Sequence, residues 1–193
     1  MSIIRAVDVS SFSGLPKPAD LDQLHDLDVR LAIVQAHGGL PGGKTGPNPL
    51  YNDQLAIFHG AGLDVATYHW PPAAATWVTA HPWSIFTALD VEAVATTPQD
   101  AVLGPLARGE KLLAYTGRGS WAGYAYGLAL WDASYWEDLG LDNWPTDLFY
   151  HFIAYGPWGF RVGWQFKGTT RLAGGLGVDL SIFSEHYVNL LKG

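Results

Sequence analysis

Short β-branched or apolar runs alternate along this chain with stretches of helix-forming residues, and Gly, Pro, Asp or Asn marks each junction. The runs predict strands near residues 3–10, 30–37, 63–70, 84–92, 111–117, 128–135, 160–166 and 176–183. The intervening stretches predict helices near 20–28, 50–61, 73–80, 98–108 and 184–191, with less regular connections among the later strands. Strands interleaved with helices favour a parallel sheet, and eight of them without an obvious switch point favour closure. The expected class is α/β: a shortened, irregular TIM-like β/α barrel with eight strands and about five helices. Residues 136–160 are aromatic-rich and read as an elaborated loop with a short helix.

Length and composition narrow the picture. At 193 residues the chain suits one barrel spanning 1–193 and has no room for a separate wall-binding domain. The 48% hydrophobic content is that of a globular chain, and the 9 Trp make it unusually aromatic. A net charge of −7 without clustered Lys or Arg argues against nucleic acid as a partner. The absence of cysteine excludes disulfides, thiolate metal sites and a cysteine nucleophile. No apolar run is long enough to cross a membrane, so no membrane insertion is expected, and the N-terminus has no signal-peptide pattern.

Within the fourth predicted strand, alternation puts Asp90 and Glu92 on one face and Leu89 and Val91 on the other. Carboxylates at i and i+2 lie roughly 6.6 Å apart along a strand, close enough for each ionisation to disfavour the other. One pKa then rises, which makes a proton donor at neutral pH, the requirement for general acid catalysis of glycoside cleavage. Asp8 between Val7 and Val9, and Asp179 between Val178 and Leu180, repeat the same parity. Taken alone, either could be a turn or cap residue. Together, with the flanking aliphatics packed under helices, all four acids project towards the barrel axis, where burial without Lys or Arg partners serves function rather than stability.

The AVDVS opening, NDQLAIFHGAGLDVATYHW, LDVE, LLAYTG, LALWDASYW, WQF and GGLGVDLSIF resemble, in order, the motifs of glycoside hydrolase family 25. The resemblance spans nearly the whole chain. It implies a shortened β/α barrel that cleaves the β-1,4 bond between N-acetylmuramic acid and N-acetylglucosamine in the glycan strands of bacterial peptidoglycan, without a cofactor. It further implies Glu92 as catalytic acid/base, Asp90 as its partner, Asp8 and Asp179 as flanking catalytic aspartates, and Tyr68, Tyr115, Trp131 and Gln165 as lining of the saccharide groove. Two routes stay open: attack by the substrate's own acetamido group steadied by Asp90, or activation of water by Asp90 or a neighbouring aspartate. With no signal peptide, such an enzyme would be made in the cytoplasm and reach the wall by phage release or as part of a virion.

The chain departs from the family pattern at Gln35-Ala36-His37-Gly38-Gly39, where Lys-Ala-Thr-Glu-Gly is usual, and at Asp132, where an aliphatic residue is usual. These departures raise an alternative: a carbohydrate-binding or virion-associated structural module that kept the barrel and lost catalysis. A chitinase-like hydrolase is disfavoured because the DxxDxDxE strand motif is absent. GGKT at residues 42–45 resembles a phosphate-binding loop, but Pro41, Pro47 and Pro49 crowd it and no helix follows directly. Seven histidines include no HExxH-type motif, so no metal site is expected.

Overall fold

The computed structural model describes residues 2–70, 82–92, 95–96, 106, 109–122, 127–150 and 152–193. Its main sheet contains β1 (Ile3–Val9), β2 (Val29–Leu40), β3 (Lys44–Pro47), β4 (Asp64–His69), β5 (Ser84–Val91), β7 (Leu112–Gly117), β9 (Ala129–Ala133), β10 (Gly163–Arg171) and β11 (Gly177–Ser184). A minor pair, β6 (Ala95–Thr96) and β8 (Trp121–Ala122), lies apart. Neighbours run β1-β11-β10-β9-β7-β5-β4-β2, and β1 also pairs with β2, so eight strands close into a barrel and β3 is an added edge on β2. Each of the eight expected strands corresponds to one of these.

The barrel is not wholly parallel. β11 runs antiparallel to both β10 and β1, because the link from Leu172 to Leu176 is a tight turn and a parallel return needs a crossover of about a dozen residues. The helices α1 (Pro18–Asp26), α2 (Tyr51–Gly60) and α3 (Glu185–Lys192) match three of the five expected. The stretches 73–80 and 98–108 lie outside the described residues, except for Leu106. Helix starts follow capping chemistry: Asp20 Oδ2 accepts the Lys17 N–H at 2.9 Å beside Pro18, and Ser184 Oγ accepts the Tyr187 N–H at 3.3 Å.

Strand alternation sorts side chains into two layers. Ile4 and Ala6 of β1, Leu31 and Ile33 of β2, Phe86 and Ala88 of β5, Leu113 and Tyr115 of β7, Trp131 of β9 and Phe183 of β11 fill the barrel interior. The residues between them, Val7, Val9, Ala32, Val34, Val178 and Leu180, face outwards under Leu24 of α1 and Leu55 and Phe58 of α2. Interior packing is tight: a Cβ at Gly163 would come within 2.3 Å of the Phe183 ring, so only glycine fits that register of β10. Continuing the interior parity by one step reaches Asp8, Gln35 and Asp90, so the polar mouth follows from the same alternation that builds the core.

Two connections bear on the expectations: as expected no helix directly follows GGKT, although a short strand does, and the aromatic-rich stretch lacks the short helix expected of it. GGKT forms the β2–β3 hairpin, with Gly42 at φ 87° and Gly43 at φ 76° in the left-handed region that the turn demands, and β3 rather than a helix follows it. Between 136 and 160 no helix occurs among the described residues. Pro145, Pro157 and three glycines interrupt this stretch, and Arg161 takes up its carbonyls instead, donating from Nε to Leu148 O at 2.5 Å and from Nη2 to Tyr150 O at 2.8 Å. The same guanidinium lies 3.9 Å from the centroid of the Trp164 ring and pairs with Asp132 at 2.6 Å. Asp132 therefore sits behind the barrel wall, away from the mouth.

Candidate active site

All eight residues singled out in the sequence line one cleft of about 300 Å³ at the end of the barrel where the parallel strands terminate. Asp8 comes from the last turn of β1 and Asp90 from the end of β5, and Glu92 stands just beyond β5 on the exposed rim. Asp179 reaches the same rim from the beginning of β11 rather than its end, because that strand is reversed. Asp8 and Asp179 are direct cross-strand partners.

A hydrogen-bonded chain organises one side of the cleft. Tyr115 and Tyr135 both donate their hydroxyls to Gln165 Oε1, at 2.6 and 2.5 Å. With its oxygen so engaged, the Gln165 amide turns its NH₂ to the acids, 2.9 Å from Asp8 Oδ2 and 3.5 Å from Asp179 Oδ2. Asp179 Oδ1 accepts the Thr169 N–H at 2.6 Å. Thr169 sits at φ 55°, a strained conformation for a β-branched residue, inside the irregular register of β10 that aims this N–H at the carboxylate. On the other side Gln35 donates to Tyr68 OH at 3.1 Å and its Oε1 faces the Ser11 N–H at 3.4 Å. The departure at 35–39 is thus built into the wall, with Gln35 holding Tyr68. Trp131, 1% exposed, forms the floor under Tyr115 and donates from Nε1 to Ser181 Oγ at 3.2 Å.

The electrostatics of the cleft follow from burial and like charge. Burial raises the Asp8 carboxyl well above the ordinary carboxylate range, Asp179 adds to the rise, and the Gln165 amide opposes it. Asp90 is raised well above that range by burial, then by Glu92 and Asp8. Glu92 is raised by burial and then by Asp179, and Asp179 by burial against the pull of the Thr169 N–H. Tyr68 is held protonated by burial first and the neighbouring acids after it, Tyr115 by burial, then Tyr135, then Asp8 and Asp90, and Tyr135 is pushed up to about 12. Among the described residues no Lys or Arg forms an ion pair with any of the four acids, and the buried Oδ1 of Asp90 has no hydrogen-bond partner. Such a set keeps protons at pH values where free carboxyls have lost them, so it can supply one to a leaving group.

No protein-family model and no curated protein sequence matches this chain. Solved structures do. The CTP1L endolysin superposes with a TM-score of 0.72 at 18% identity, covering 98% of this chain and 70% of that one. The family GH25 lysozyme from Aspergillus fumigatus gives 0.70 at 17% identity, covering 99% and 98%. The bacterial lysozyme from Streptomyces coelicolor gives 0.65 at 18% identity, covering 97% and 95%. The chain has the fold of the family 25 lysozymes.

Within this lysozyme fold the cleft also contains residues that the sequence reading passed over. Tyr135, Phe12, Ser10 and Trp70 line it. Tyr135 was within reach, since residues 131, 133 and 135 share the inward parity of β9. Phe12 lies in the loop after β1, and no periodic signal marks it. The histidines play other parts: His59 stacks on Trp83 with centroids 4.7 Å apart, and His69 is kept neutral, its pKa lowered to about 4 by burial and by His37. Among the described residues no three His, Asp or Glu side chains are placed to hold a metal ion, and no helix is long and apolar enough to cross a membrane.

Proposed function

We propose that this protein is a muramidase, hydrolysing the β-1,4 bond between N-acetylmuramic acid and N-acetylglucosamine in peptidoglycan. One observation carries the reading: four carboxylates with raised pKa values converge on one cleft without a cationic partner among the described residues. Burying acids in this way lowers stability, and the arrangement is suited to glycosidic proton transfer. The structural neighbours named as lysozymes and endolysins support the same activity.

Glu92, on the open rim and protonated above the usual carboxyl range, donates its proton to the glycosidic oxygen as the bond to the anomeric carbon breaks. Asp90, below it with Oδ1 turned to no partner, is placed to serve the opposite side of the reacting ring. Either it accepts the N–H of the 2-acetamido group while that group's oxygen attacks the anomeric carbon, or it takes a proton from an attacking water. The first route retains the anomeric configuration and the second inverts it, so the initial product anomer read by NMR separates them. Asp8 and Asp179, braced by Gln165, turn carboxyl oxygens towards the cleft where the oxocarbenium ion develops. Tyr68, Tyr115 and Gln165 line the groove with hydroxyl and amide groups that orient sugar hydroxyls, above the floor that Trp131 provides.

The decisive experiment is turbidity loss of a cell-wall suspension together with the identity of the new reducing-end sugar. The wild-type chain is expected to release N-acetylmuramic acid reducing ends and Glu92→Gln to release almost none. Equal activity in both, or binding of the wall without cleaved glycan, would overturn the reading.

A further inference from the structure

The cleft has a second limb. Asp8, Phe12 and Asp179 wall both parts, and the further hollow, again of about 300 Å³, is lined by Thr169, Arg171 and Gly177. The two limbs differ in charge. Among the described residues the first is lined by all four carboxylates and by neither Lys nor Arg, whereas the second keeps only Asp8 and Asp179 of them and adds the Arg171 guanidinium. Arg171 is the last residue of β10 and faces Gly177 across the strand pair, and a Cβ at Gly177 would stand in open space. Arg171 is solvent-exposed and donates from Nη1 to Gly175 O at 3.1 Å, and among the described residues it makes no ion pair, which leaves most of its five N–H donors facing the hollow or water. At the junction of the limbs the Phe12 ring is 64% exposed.

We propose that the second limb receives the acidic peptide stem of peptidoglycan, with Arg171 pairing a stem carboxylate and Phe12 lying against the sugar from which the stem branches. The inference rests on the muramidase reading and adds to it the part of the substrate that lies outside the glycan backbone. A stem leaving the cleaved sugar carries carboxylates, and the described residues lining the first limb include no cation to receive them. The second limb is contiguous with the scissile position and offers the guanidinium fork that matches a carboxylate. An exposed aromatic face at the branch point supplies apolar contact to a sugar ring without selecting for charge.

The test is a binding measurement on the Glu92→Gln protein, by isothermal titration, with two probes: a muramic-acid-containing tetrasaccharide bearing its stem peptides, and the same tetrasaccharide stripped of them. The peptide-bearing probe is expected to bind about fivefold more tightly, equivalent to about 1 kcal/mol. Arg171→Ala is expected to abolish that preference, Arg171→Lys to keep part of it, and Phe12→Ala to weaken both probes alike. Equal affinity for the two probes, or a preference that survives Arg171→Ala, would overturn the proposal. Cleavage is read separately with Glu92 intact: failure to release reducing ends overturns the muramidase reading, while the binding preference is still measured.

Discussion

Buried acids occur on both sides of the barrel wall, and they are treated in opposite ways. Behind β9, Asp132 has both oxygens occupied: Oδ2 by Arg161 Nη1 at 2.6 Å and Ser134 Oγ at 2.8 Å, and Oδ1 by Tyr155 OH at 2.7 Å. At the mouth, Asp90 is as deeply enclosed, yet its Oδ1 has no hydrogen-bond partner among the described residues and the charges acting on it are those of Glu92 and Asp8. A fully satisfied acid fixes a loop, whereas an unsatisfied one retains the capacity to exchange a proton or engage a substrate. What distinguishes the two is the identity of the neighbours, not burial or residue type.

The contrast can be broken from either side. Glu92→Gln removes the proposed proton donor and is expected to lower the rate of glycan cleavage by about 10²–10⁴-fold, with the thermal midpoint little changed, as seen by pairing a turbidity assay with calorimetry. Asp132→Ala leaves Arg161 charged and enclosed, and should reduce unfolding free energy in urea by about 3–5 kcal/mol. Its folded fraction should still cleave glycan. Loss of activity out of proportion to unfolding would erase the distinction between the two acids.

A smaller effect concerns pH. Acids raised by burial keep protons in the native state that the unfolded chain releases, so the stability they contribute is full below about pH 4 and is lost as pH climbs through their folded values. Asp8→Asn is therefore expected to stabilise the protein by roughly 1 kcal/mol at pH 7 relative to its effect at pH 4. His69, whose lowered pKa removes stability as pH falls from about 6.5 towards 4, acts equally in both proteins and cancels from the comparison. The smallest change is expected from Tyr135→Phe. It removes one of two donors to Gln165, costs about 0.5–1.5 kcal/mol of transition-state binding, and should appear in kcat rather than in stability.

Much of this was legible from alternation alone. Period-two patterning located all eight barrel strands, and the Val-Asp-Val and Val-Asp-Leu contexts placed Asp8 and Asp179 inside, because a strand cannot turn its aliphatics outwards without turning the intervening residue inwards. Direction was not legible: nothing local distinguishes the reversed β11 from a parallel strand except the shortness of the link before it. Partner identity was equally hidden. Asp132 and Asp90 both sit in apolar strands, and only Arg161, 29 residues further along, makes one of them structural. The bulge that turns the Thr169 N–H onto Asp179 is a property of strand register, which no single segment encodes.

The reversed strand carries one more implication. Because β11 zips against β1, the barrel fastens along a seam between the first and last strands of the chain, and Asp8 and Asp179 sit face to face on that seam. Asp90 belongs to β5 and Glu92 follows directly after it; that strand lies elsewhere around the wall and is anchored by β4 and β7. Unfastening β11 would leave those inner strands paired while separating the acids, removing the Thr169 clasp on Asp179 and opening the cleft's second limb along its length. The four-acid cluster thus exists only in the fully closed barrel, and the proposed activity is expected to register closure of the seam more sensitively than secondary structure does.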